Sequence, residues 1–179
     1  MVKLRDLILP VVAIVVLLLD QLSKAWVIEH IPLNTTLDIF PPLRQIFVLT
    51  HITNSGAAFG LFPQLSLVFT FVALGVSVVI VLYYRSIPAG EWLVRLSLGL
   101  QLGGAIGNLM DRLRYGSVVD LFYVRLWPVF NMADLAIVSG VVLLMLHLMR
   151  TPPKESASQA AMASSDSPEN SESSGNGLG

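Results

Sequence analysis

Apolar positions gather into four blocks. A helix that crosses a bilayer needs about 20 mostly apolar residues, and segments 7–28, 65–84, 92–113 and 129–149 meet that length. The second block carries no charge at all. The first holds Asp20, Gln21 and Lys24 near its far end, the third is apolar from Leu96 to Met110, and the fourth is interrupted by Asn131 and Asp134. Between the first two blocks, FVLTHITN (47–54) alternates and is rich in β-branched residues, which predicts short strands. The pattern predicts an α-helical integral membrane protein with four transmembrane helices.

Both ends of the chain refine this picture. Lys3 and Arg5 precede an apolar run, as in a signal peptide, but no small-x-small cleavage site follows. An uncleaved first span is expected. From Thr151 the composition changes to eight Ser and three Pro with almost no large apolar side chain. Such a segment cannot bury enough surface to offset its ordering entropy. The expected division is a membrane domain, 1–150, and a disordered tail, 151–179.

Composition agrees. The chain is 54% hydrophobic and 13% charged, against about 45–50% and about 25% in soluble domains. Too little polar surface remains to coat a water-soluble globule. A net charge of −1 leaves no nucleic-acid footprint. The absence of cysteine excludes a disulfide scaffold, a thiolate nucleophile and a Cys-ligated metal. No H-E-x-x-H, P-loop or dinucleotide fingerprint occurs, so no metal or nucleotide cofactor is expected. His30, His51 and His147 are scattered, with His147 read as a helix-end residue near the interface. Ser139 and His147 lie too far apart on one helix to pair as nucleophile and base.

Lys and Arg placement sets orientation. With four spans, six basic residues fall on the side of the termini and five on the other. Leaving out Lys24 and Arg112, which sit within or at the ends of spans, makes it six to three and favours cytoplasmic termini.

Ionisable groups in apolar spans are costly and mark candidate function. Asp20 and Lys24 are spaced i,i+4 in the favourable order for a helical ion pair. They are read as a self-neutralising structural pair or as contacts to an active site. Gly99, Gly103 and Gly107 form two overlapping G-x-x-x-G steps, which let helix backbones approach closely in lipid. Gly104, Asn108 and Arg112 fall on one stripe and can act on one neighbour. Asp111 is read first as a helix-end anchor. Asp120 sits among Val118, Val119, Leu121 and Phe122, which desolvate it. Asn131 and Asp134 have the spacing of a capping box, and capping would also aim the Asp134 carboxylate. Asp120 and Asp134 flank one short loop containing Pro128. Two close carboxylates in low dielectric share a proton, so one serves as base and the other as acid. That pair can activate water for peptide hydrolysis without a metal. A proton-relay transporter subunit and a purely structural partner protein are the competing readings.

These residues also form a familiar set. D-Q-x-S-K (20–24), N-x-G-x-A-F (54–59), G-G-x-x-G-N-x-x-D-R (103–112), V-V-D (118–120) and F-N-x-A-D (130–134) resemble lipoprotein signal peptidase, or signal peptidase II, over nearly all of 1–150. One mild departure is Leu121, where the family often has Phe. The resemblance implies a bacterial inner-membrane aspartic endopeptidase, with four spans, a small extracytoplasmic β-cradle and a short amphipathic helix. It implies substrates that are diacylglyceryl-modified prolipoproteins, cut on the N-terminal side of the lipidated cysteine, and inhibition by globomycin. Carried over by motif, Asp120 and Asp134 are the catalytic dyad. Asp20, Lys24, Asn54, Gly56, Gly104, Asn108, Asp111, Arg112, Asn131 and Ala133 match supporting positions around the site. Partners are then lipid-modified prolipoproteins and membrane lipids, and the chain is expected to be a monomer.

Overall fold

The structure, a computed structural model, describes residues 4–38, 41–55, 65–88 and 90–150. Gly56 and the tail 151–179 lie outside the described residues. Four long helices form: α1 (Ile8–His30), α2 (Ser66–Tyr83), α3 (Trp92–Tyr115) and α4 (Met132–Arg150). Three short strands, β1 (Thr36–Leu37), β2 (Phe47–Asn54) and β3 (Val118–Val124), make an antiparallel sheet in the order β1-β2-β3. The strand expected at 47–54 is β2. Among the described residues, the helical pieces outside the four long helices are short 3-10 turns, and the expected short amphipathic helix is not among them.

Burial in the bundle is inverted relative to a water-soluble fold. Val11, Ile14, Val15, Leu18 and Leu22 of α1 point outward, while Asp20 and Lys24 of the same helix are buried. An apolar exterior around a polar interior suits lipid, where the outer surface needs no water. By length and composition α1, α4 and the segment Ser66–Ser86 can each cross a membrane. The fourth expected span, α3, is longer than α4 but is not among them. The reason lies in its composition: Arg95, Gln101, Asn108, Asp111, Arg112 and Arg114 lower its hydropathy, and α3 hides several of them by sitting between α1 and α4.

Small residues allow that central position. A Cβ at Gly103 would lie 2.6 Å from the Ala13 carbonyl oxygen of α1. One at Gly104 would strike the Ala133 carbonyl of α4. Adjacent glycines therefore admit two different neighbours. At the other end of the contact, Gly140 of α4 lies against the Ser97 carbonyl of α3. Gly116 ends α3 in the left-handed region at φ 72°, which glycine adopts without a Cβ clash.

The sheet caps one end of the bundle. Val27 and Ile31 at the end of α1 pack with Leu49 of β2 and Leu121 of β3. β2 and β3 pair from Phe47↔Val124 to Asn54↔Val118, with an irregularity between Leu49 and Ile52. Beyond β3 the chain turns back, and Phe130 bridges to Phe122. That return explains why α4 begins at Met132 and not at 129: Phe130 is still hydrogen-bonded to Phe122 of β3, and Asn131 caps the helix. At the far end of the bundle Arg95 is buried, pairing with Asp6 at 3.2 Å and donating to the Ile87 carbonyl at 2.8 Å. His147 near the end of α4 lies 2.8 Å from Glu91, which precedes α3.

Candidate active site

Asn131 initiates both the helix and the site. Its side-chain oxygen accepts from the Asp134 amide at 2.9 Å, and Asp134 Oδ2 accepts from the Asn131 amide at 3.3 Å. This reciprocal arrangement is the capping box expected from the spacing. It leaves the Asn131 side-chain amide free to donate to Asp120 Oδ1 at 2.8 Å. One fully buried Asn thus joins the two carboxylates. Asn54, at the end of β2, donates to Asp120 Oδ2 at 3.1 Å.

Asp120 and Asp134 line one cavity of about 290 Å³ with Asn54, Asn108 and Arg112. Burial pushes the Asp120 carboxyl up to about 7, and the nearby Asp134 charge pushes the same way. The hydrogen bonds from Asn54 and Asn131 and the Lys24 charge oppose the shift. A carboxyl titrating near neutrality can exchange a proton at working pH.

Behind this pair lies a second, wholly buried cluster. Lys24 Nζ sits 2.8 Å from both Asp20 Oδ2 and Asp111 Oδ2. It also donates to Asn108 Oδ1 at 3.2 Å, and Asn108 donates to Asp134 Oδ1 at 2.7 Å. Asp20 Oδ1 accepts from the Ala133 amide at 3.0 Å, tying α1 to the first turn of α4. Asp111 Oδ2 accepts from the Val119 amide at 3.2 Å, tying α3 to β3. Gly107 makes room for this cluster: a Cβ there would fall 2.5 Å from Asp20 Oδ2.

The structure thus brings together nearly all the residues singled out in the sequence. Asp20 and Lys24 do pair, but the pair is not self-contained, since Asp111 shares the ammonium. Asp111 is a buried partner of Lys24 and not merely a helix-end anchor. The stripe Gly104–Asn108–Arg112 meets α4, as its spacing suggested. Arg112 keeps donors in hand: its guanidinium makes one long hydrogen bond, 3.5 Å to the Asn108 carbonyl, and stands 5.9 Å from the Phe69 ring centre. Its Nε is buried without a partner among the described residues. Two participants were given no site role by the sequence reading. Gln21 donates to Asp111 Oδ1 at 3.0 Å and to the Gly107 carbonyl at 3.3 Å; its place beside Asp20 in a span was the available signal. Trp127 lines the cavity, and only its position just before Pro128 hinted at it. Among the described residues no group of His, Asp and Glu is arranged to hold a metal ion.

An apolar helical exterior around buried polar groups, with the paired carboxylates Asp120 and Asp134 at one end of the bundle, defines a membrane protein. The family model of signal peptidase (SPase) II matches residues 12–150. Lipoprotein signal peptidase of Moorella thermoacetica is 47% identical over 137 residues, 76% of this chain and 89% of that one. The Halothermothrix orenii protein of the same name is 42% identical over 139 residues, covering 77% and 92%. A solved bacterial membrane enzyme superposes with a TM-score of 0.70 at 23% identity, covering 79% of this chain and 92% of its own, which shows a shared fold. The chain belongs to the signal peptidase II family.

Proposed function

We propose that the protein is an aspartic endopeptidase that removes the signal peptide from diacylglyceryl-modified prolipoproteins, cutting N-terminal to the lipidated cysteine. The observation that carries this reading is the sharing of Asn131 by Asp120 and Asp134 at one cavity, in a chain of the signal peptidase II family. One carboxylate takes a proton from a water molecule, which attacks the scissile carbonyl. The other, protonated, donates to the carbonyl oxygen, and a proton then passes to the leaving amine. Peptide bond and water are consumed, and a new carboxyl and amine are released with no cofactor. Arg112, with donors to spare at the cavity, is suited to a substrate carbonyl. Asn131 is not, since its donors and its acceptor are already engaged.

The four helices are read as four spans, α3 included, with both termini cytoplasmic and the sheet on the outer side of a bacterial inner membrane. The charge bias supports that orientation, and the length of α3, 24 residues or about 36 Å at 1.5 Å per residue, supports its spanning. A proton relay is not favoured, because α2 carries no charged side chain and the polar cluster ends within one part of the bundle.

The test is cleavage of a diacylglyceryl-modified prolipoprotein by the purified protein in liposomes, read by mass spectrometry. Globomycin-sensitive release of the intact signal peptide is expected. Proton flux without cleavage would replace this reading with the relay.

A further inference from the structure

Hydrogen-bond polarity separates the two carboxylates at one oxygen. Asp120 Oδ1 accepts from the Asn131 side-chain NH2, whose orientation is set because Asn131 Oδ1 accepts from the Asp134 amide, but Asp120 Oδ2 meets the side-chain amide of Asn54, a group with both a donor and an acceptor end. A Lys ammonium can only donate. Because Lys24 Nζ points at Asn108 Oδ1, that atom must be the amide oxygen, and the Asn108 NH2 must face Asp134. A second donor agrees, since Asn131 Nδ2 also points at Asn108 Oδ1 at 3.2 Å. Asp134 Oδ1 therefore accepts from Asn108. Its other oxygen accepts from a backbone amide, that of Asn131, which can only donate as well. Both oxygens of Asp134 face groups of fixed donor character, the arrangement that suits an ionised carboxylate.

We infer that Lys24 is a positioning residue that acts through Asn108 to make Asp134 the ionised member of the dyad at rest, leaving the shared proton on Asp120. This rests on the aspartic-peptidase reading above and assigns its roles: Asp134 draws the proton from water, and Asp120 protonates the carbonyl oxygen. The elevated titration of Asp120 near 7 agrees with a carboxyl that holds its proton into the neutral range.

The charged groups around Asp134 come from every element packed there. α1 contributes Asp20 and Lys24, α3 contributes Asp111 and Arg112, and β3 contributes Asp120. Lys24, Asp20 and Asp111 together carry a net single negative charge. Replacing Lys24 alone would strand two buried carboxylates and could unfold the chain. The double variant Lys24→Gln/Asp111→Asn keeps that net charge and exchanges the donor-only ammonium for an amide that can face either way. Asn108→Ala interrupts the same path while leaving both Lys24 ion pairs in place.

The experiment is the pH profile of kcat/KM on a lipid-modified prolipoprotein for wild type and both variants, with thermal unfolding in detergent as a folding control. In each variant the acid limb is expected to move up by about one pH unit or more, a change of about tenfold or more in the dyad's proton affinity, with KM changed less than kcat. An acid limb that stays in place in Asn108→Ala overturns the inference, whatever the fall in kcat. A limb that moves in Asn108→Ala but not in a folded Lys24→Gln/Asp111→Asn also overturns it, because Lys24 would not be acting through Asn108. Failure of the underlying reading looks different: Asp120→Asn or Asp134→Asn would still cleave.

Discussion

The two halves of α3 use the same helical spacing for opposite purposes. In the first half, Gly99 and Gly103 bring the backbone of α3 against the Leu9 and Ala13 carbonyls of α1, and the nearby core is Leu9, Ala13, Ile80 and Leu102. Four residues after Gly103 the same stripe reaches Gly107 and then Asp111, where the facing groups on α1 are Asp20 and Lys24. The neighbouring stripe changes likewise, from Gly104 against Ala133 to Asn108 and Arg112 beside Asp134. Close packing of small residues in one half fixes the helix axes. Those axes then hold polar groups of the other half at direct hydrogen-bond distance. Precision at the site is inherited from sterics one or two turns away.

The comparison breaks most severely where the two purposes meet. Gly104→Leu drives a side chain into the Ala133 carbonyl and Ile137, so α3 and α4 must part. Loss of monodisperse folded protein on size-exclusion chromatography is expected, with cleavage lost as a consequence. Asp120→Asn acts in the opposite sense. Below the ordinary carboxyl value of 3.8 this group is protonated in folded and unfolded chains alike; from there up to about 7 only the unfolded chain releases the proton. Stability contributed by protonated Asp120 is therefore lost as pH rises through that window. Removing the charge should stabilise the protein at pH 8 by up to about 4 kcal/mol, and the gain should vanish near pH 4. Thermal unfolding at the two pH values reads the difference.

Smaller changes sharpen the contrast. Asn131→Ala deletes a helix cap and removes one of the two side-chain donors to Asp120, leaving Asn54, a loss of about 2 kcal/mol by equilibrium or thermal unfolding. In the far half, Glu91→Gln weakens a partly exposed contact with His147. Less than about 1 kcal/mol is expected there, with cleavage unchanged within assay error.

How much of this was readable from the chain follows the same division. The apolar blocks located the helices to within a few residues, because lipid-facing surface is written as uninterrupted Leu, Val and Ile. The capping box was readable because its partners are three residues apart. The shared ammonium was not, since Lys24 and Asp111 are brought together only by the tight α1–α3 crossing. Gln21 was hidden for the same reason, and Trp127 because its place at the cavity depends on how the chain returns from β3. The start of α4 was set too early because hydropathy continues through Val129 and Phe130, although Phe130 is paired with Phe122 of the sheet.

The central claim is that the buried carboxylates, and not the bundle around them, perform the chemistry. Cleavage of a diacylglyceryl-modified prolipoprotein by purified Asp120→Asn and Asp134→Asn, each checked for an unfolding temperature at least that of wild type at pH 8, tests it most directly. Both variants should remain folded and release no signal peptide. Full processing by either folded variant would contradict the account.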